Sequence, residues 1–212
     1  MCALAAAGLV VGCLAAVPVA PAAAVDPPVV AELTATPARP IPGQNVQVTA
    51  RLVPGSTATL TYKVMFGADV TVPFADGPTS PGGAGDGVYS ATIPGQTAGK
   101  LIRYRVDAVT GGVASSAPAA TDSVRYRGVV VTNPAVSSQL PVIEWFMDDA
   151  VYDDLLANHR QDDFQGDAVW AYNGTVIDGV LMSIRGNSSR TANKVNWKVE
   201  LPEIKIELPS AP

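Results

Sequence analysis

From residue 46 onward the chain alternates apolar and polar side chains in short blocks separated by Gly and Pro. In QNVQVTARLV, Val46, Val48, Ala50 and Leu52 share one face and their polar neighbours the other, the period of two of a strand with one buried side. ATLTYKVMF repeats the pattern with Leu60, Tyr62, Val64 and Phe66, and GVYSATIP and KLIRYRVDAV add two further blocks. Between them VPGS, DGPTSPGGAGDG and PGQTAG carry the Gly, Pro and Asp that tight turns require. The spacing predicts about six or seven short strands over 29–128, packed as a β-sandwich.

The pattern then changes. VTNPAVSSQLP is polar and broken by prolines, the composition of a linker, expected over 129–139. LPVIEWFM reads as a strand, and the following Asp-rich run places Val151, Leu155 and Leu156 at helical spacing. This predicts a short amphipathic helix capped by Asp148 or Asp149 and ending near Asn158. A hairpin follows: a strand from Ala168 to Tyr172, the Asn173-Gly174 turn, and a second strand from Val176 to Arg185. Gly186 breaks that strand, NSSRTANK forms a loop, and VNWKVELP resumes with Trp197, Val199 and Leu201 alternating against Lys198 and Glu200. The frame displays Arg185, Ser188, Ser189, Arg190 and Lys194 around one turn. Backbone N–H groups beside a glycine, two hydroxyls and several cations suit a phosphate. The Walker spacing is absent and no helix follows the loop, so residue types alone leave it open between a solvated turn and an anion site.

Composition narrows the function classes. Of 212 residues, 48% are hydrophobic and 16% charged, which suits a globular chain with room for one or two cores. The net charge of -5 and the single histidine argue against nucleic acid as a partner. Gly 19 and Pro 18 fit short strands joined by turns. The uncharged apolar run before residue 25 reads as an export signal, 1–24, cleaved after Ala24, although no Lys or Arg precedes Arg39. Pro18 and Pro21 interrupt the run and argue against a membrane anchor; lipidation at Cys13 lacks the polar tether that should follow. Cys2 and Cys13 both fall in this segment, so the exported protein has neither disulfide nor thiolate chemistry. We expect it outside the cell or on the envelope exterior.

Other chemistry-bearing residues have plainer readings. The aspartates around the helix lack the alternation and central Gly of a calcium loop and read as a solvated acidic face. His159 has no nucleophile motif to serve; with Arg160 it stands at the helix end, where both can meet exposed carbonyls. Tyr62, Tyr89 and Tyr104 could stack carbohydrate, but alternating strand tyrosines more commonly pack in a core.

The 29–128 segment resembles fibronectin type III and related immunoglobulin-like modules of secreted bacterial enzymes, in GVYSATIPG and IRYRVDA. LPVIEWFM, AVWAYNGTVIDGVLMSIRGNSSR and KVNWKVELP, in that order, resemble the start of the spore-coat protein H (CotH) kinase-like family. That resemblance implies ATP and Mg or Mn bound between two lobes, with phosphoryl transfer to a Ser-rich protein. It implies that Arg185, Gly186, Ser188 and Ser189 lie near the nucleotide phosphates, with Lys194 or Lys198 as the phosphate-pairing lysine.

The expected architecture is therefore mainly β: an immunoglobulin-like sandwich followed, over 140–212, by an α+β partial kinase-like N-lobe. The family's C-lobe, with its metal-binding and base aspartates, is not in this sequence, so the expectation is a nucleotide-binding fragment that is inactive alone. The alternative is a secreted or cell-surface adhesion or scaffold protein whose sandwich binds a wall component or partner. KVELP and KIELP form an unexplained near repeat at the end. The second segment alone should be marginally stable, with its last strand an open edge.

Overall fold

The computed structural model describes residues 30–172 and 174–202. The expected signal segment 1–24, both cysteines, Asn173 of the hairpin turn and the KIELP copy lie outside the described residues. The chain is mainly β and built from antiparallel sheets. Among the described residues no helix is long and apolar enough to cross a membrane.

The first sheet pairs β1 (Ala31–Thr36), β2 (Val46–Arg51) and β5 (Val88–Ile93) in the order β1-β2-β5. The second runs β4 (Val70–Phe74), β3 (Thr57–Val64), β6 (Leu101–Thr110), β7 (Val113–Ala117); β8 (Arg127–Val130) pairs the opposite end of β6 from β7. The inward residues of both sheets meet in one core. Val46, Val48 and Ala50 of β2 and Ile93 of β5 pack with Leu60 of β3 and Ile102, Tyr104 and Val106 of β6, as the alternation predicts. Two strands lack that signal. β4 contains Pro73 and pairs only with β3, as an edge strand can, and β7, VASSA, has too little apolar volume to mark a face. Eight strands stand where the sequence suggests about six or seven.

The linker expected over 129–139 starts too early. Val129 and Val130 belong to β8, Val131 is fully buried, and Thr132 donates its backbone N–H and its hydroxyl to Pro40 O at 2.8 and 3.1 Å. Val129 and Val131 complete the core of the first unit, and Val130 faces the third sheet.

The third sheet has the order β12-β11-β10-β9, from β9 (Ile143–Met147), β10 (Gly166–Tyr172), β11 (Thr175–Arg185) and β12 (Asn196–Glu200). Between β9 and β10 lies the helix α1 (Asp149–Asn158), begun by Asp148, whose carboxylate accepts from Ala150 N at 3.0 Å. Leu155, fully buried, and the half-buried Val151, Tyr152 and Leu156 press α1 onto one face, against Met147, Ala168, Val180, Met182 and Ile184. Asp148→Ala should lower stability by about 1 kcal/mol, since it leaves a helical N–H without its cap; urea denaturation measures this.

The other face of the third sheet rests on the first unit. Val169, Ala171, Phe146 and Val176 pack against Leu101, Val130, Met65 and Phe66. Hence the first four residues of β6 are all buried: Ile102 and Tyr104 face the first core, whereas Leu101 and Arg103 face the third sheet. Gly128 allows the approach, because a Cβ there would lie 2.7 Å from Val176 Cγ1. At the seam Arg103 Nη1 donates to Asp178 Oδ1 at 3.0 Å and Nη2 to Met65 O at 2.8 Å, with the guanidinium 4.6 Å from the Phe66 ring centre. Both charged side chains are at least nine-tenths buried. The segment that the sequence sets off by a linker thus shares core and charge with its neighbour.

Candidate functional site

The site is built where β11 ends. Ile184 is buried, and Arg185, opposite Asn196 of β12, is exposed. Gly186 then takes φ +107, a conformation that side chains disfavour, and a Cβ there would overlap Ser189 Oγ. The chain turns through one short 3-10 helix, Ser188–Thr191, and re-enters the sheet as β12 after the buried Val195.

The loop is braced from inside. Ser189 Oγ donates to Arg185 O at 3.2 Å, Thr191 Oγ1 to Ser188 O at 3.0 Å, and Arg190 Nε to Gly186 O at 2.8 Å. The rest of the Arg190 guanidinium reaches the turn after α1: Nη1 donates to Arg160 O and Asp162 O at 3.3 and 2.9 Å, and Nη2 to Asp163 Oδ1 at 3.2 Å. Arg160 reciprocates, with Nε on Leu156 O and Nη1 on Arg190 O and Ala192 O. Two arginines thus tie the 186–192 loop to the 159–163 turn.

This sorts the residues expected to meet a phosphate. Arg185, Ser188 and Lys194 are exposed around the loop, and among the described residues neither Arg185 nor Lys194 makes an ion pair. Gly186 supplies the turn, and Ser189 and Arg190 serve the loop's own backbone. Lys198 lies on β12 in ion pair with Glu200, whose carboxyl is held below its usual range by hydrogen bonds from Lys198 and then from Gln165. Of the two lysines, Lys194 is the one whose ammonium is not engaged by a neighbouring carboxylate.

The residues given only structural readings fare unevenly. Arg160 meets a helix carbonyl as expected, but His159 does not: its ring lies between Asp162 and Asp154. A carboxylate carries a full charge and competes better than a neutral carbonyl for an imidazole N–H. Asp148 caps α1, Asp154, Asp162 and Asp163 pair with neighbouring side chains, and Asp149 and Asp153 are exposed; among the described residues no group of three or more His, Cys, Asp or Glu stands where it could hold a metal. Tyr89 and Tyr104 are buried and Tyr62 packs half-buried against the same core, so they form no stacking surface; burial pushes the Tyr104 hydroxyl up to about 12. No local signal ties Arg160 to the loop, because its partners Arg190 O and Ala192 O lie about thirty residues away on another element; the His159 ring partners, Asp154 and Asp162, are close in sequence.

A cleft of about 480 Å³ lies elsewhere, between the units, lined by residues including Arg39, Asn133, Glu144 and Tyr172. Several of its polar groups are already satisfied: Asn133 Oδ1 accepts from Ala135 N and Thr132 donates to Pro40. We read it as a seam, not a site, because none of the loop cations borders it.

No protein family and no curated protein matches the chain. Among solved structures, a mutant of Kfla1895 in complex with isomaltose is similar at 14% identity over 72% of this chain, with a TM-score of 0.30. The match spans 18% of that protein's length, and a likeness of this size carries no argument about fold or function.

Proposed function

We propose that the chain carries the nucleotide-phosphate-binding portion of a CotH-like, exported phosphotransferase N-lobe, held on an immunoglobulin-like sandwich. The observation that carries this reading is the braced loop at the end of β11: Ser189 and Arg190 fix its backbone from within, and Arg185, Ser188 and Lys194 remain exposed around it. A flexible loop would lose its cations to solvent on many paths; a braced one has already met that ordering cost before an anion arrives. Arg185 offers a planar fork to phosphate oxygens, Lys194 a mobile point charge, and Ser188 a hydroxyl donor.

The donor set fits a polyphosphate and does not fit a protein-held metal, since no carboxylate cluster borders the loop among the described residues. The proposal is therefore limited to binding, and no transfer step is assigned. The sandwich acts as a rigid support through the Arg103–Asp178 pair.

Calorimetric titration with ATP at low salt tests this. Arg185→Ala and Lys194→Ala should each weaken binding by about fivefold, the effect of losing one partly solvated charged hydrogen bond, without changing the melting temperature, because both side chains are exposed. Lys198→Ala should leave affinity unchanged. Equal affinity in the Arg185→Ala, Lys194→Ala double variant would contradict the proposal.

A further inference from the structure

We infer that His159 is a pH-sensitive positioning residue for the anion loop: as the imidazolium it pins the 159–163 turn that holds Arg190, and as the neutral ring it loosens that hold. The inference rests on the reading of the loop as a phosphate site, although its first step can be observed without any ligand.

The geometry places one ring between two carboxylates, hydrogen-bonded to one and at ion-pair distance from the other. His159 Nδ1 lies 2.8 Å from Asp162 Oδ2 and Nε2 lies 3.4 Å from Asp154 Oδ2, while the ring stacks on Phe164 with centroids 4.0 Å apart. A neutral imidazole has one N–H and one lone pair, so in either tautomer a lone pair faces a carboxylate. The imidazolium sets a positive charge between both carboxylates; the neutral Nδ1–H tautomer keeps the Asp162 hydrogen bond without that charge and turns a lone pair toward Asp154. The groups facing it are Asp154 from α1, which also accepts from Asn158, and Asp162 from the turn, itself near Arg190 of the loop. The hydrogen bond from His159, and after it the Phe164 N–H, holds the Asp162 carboxyl below its usual range. Asp162 thus remains ionised throughout the interval, about pH 5 to 8, in which histidines change charge.

The link to the loop is covalently short. Asp162 lends its side chain to His159 and its backbone carbonyl to Arg190 Nη1 at 2.9 Å. Asp163, next in sequence, holds Arg190 Nη2, and Arg190 Nε holds Gly186 O. A shift of Asp162 on loss of the ring's charge is transmitted through Arg190 to the glycine that sets the loop's turn. The sign follows: the pinned state is favoured while His159 is protonated and is lost as pH rises through the histidine titration. At low pH it is lost again only below the lowered titration of Asp162.

The experiment is a pH titration of the full chain by NMR, following the His159 ring protons and the amides of Gly186 and Ser189, paired with ATP affinity at pH 5.5 and 8 for the wild type and His159→Gln. We expect the Gly186 and Ser189 amides to move with the same midpoint as the His159 ring, and these shifts to vanish in His159→Gln. The ratio of ATP dissociation constants between the two pH values should rise about fivefold more steeply in the wild type than in the variant. That comparison cancels the titration of ATP itself. Arg190→Lys should uncouple the Gly186 amide from the His159 midpoint while leaving the ring's own titration in place. If the Gly186 amide is indifferent to the His159 midpoint, the inference is wrong whatever ATP does. If the amides track the ring and ATP does not bind, the latch stands and the phosphate reading falls. If ATP binds with the same pH dependence in the wild type and His159→Gln, the inference falls and the phosphate reading stands.

Discussion

Asp178→Ala should lower stability by about 3–5 kcal/mol, because it strands the Arg103 guanidinium at a buried seam. Arg103 has two partners there, Asp178 Oδ1 at 3.0 Å and Met65 O at 2.8 Å, and the loss of the carboxylate leaves the charge with one neutral acceptor and the Phe66 face. The control is the double variant Arg103→Met, Asp178→Leu. Replacing both charges by apolar side chains of similar size removes the desolvation problem along with the attraction, so its stability should return to within about 1 kcal/mol of the wild type. Urea denaturation followed by far-ultraviolet circular dichroism measures both. The seam also joins Val169, Ala171 and Phe146 to Leu101 and Val130, so unfolding of the wild type should be one transition. A loss below about 1 kcal/mol for Asp178→Ala would mean that the two units are not held together at this point.

Leu155→Ala should cost about 2–5 kcal/mol. Leu155 is the one residue of α1 that is fully buried, and it lies under a helix whose other contacts to the sheet are half exposed. The cavity left behind would weaken the base on which the 159–163 turn sits and, through Arg160 and Arg190, the loop itself. The variant should therefore lose ATP affinity although it touches no loop residue. Near-ultraviolet circular dichroism gives a local readout, because Trp145, Tyr152 and Trp197 pack with ring centres 5.7 to 6.1 Å apart beside α1. An unchanged aromatic signal with full ATP affinity would show that α1 does not support the loop.

Much of the fold was legible because single-sided burial writes a period of two. Val46, Val48 and Ala50, or Trp197 and Val199 against Lys198, need only their neighbours to reveal a face. The Asn173-Gly174 turn and the Asp148 cap were equally local signals, and the strands and helix beside them fall where they point. What was not legible depends on burial from two sides. Arg103 looks like an outward residue of a half-buried strand until the third sheet covers it, and Asp178 looks like a hairpin acid until it meets Arg103. The candidate loop divides in the same way. Its position after β11 and its glycine are readable, whereas Arg190, a displayed cation by sequence, faces inward, because its partners Arg160 O, Asp162 O and Asp163 belong to a turn distant in sequence.

The most direct test of the claim that the loop after β11 receives nucleotide phosphates is amide chemical-shift mapping of the whole chain on addition of ATP. The account predicts shifts concentrated at 186–189 and at Lys194, with the cleft around Glu144 and Tyr172 undisturbed. Shifts confined to that cleft, or the absence of any change at the loop at saturating ATP, would contradict it.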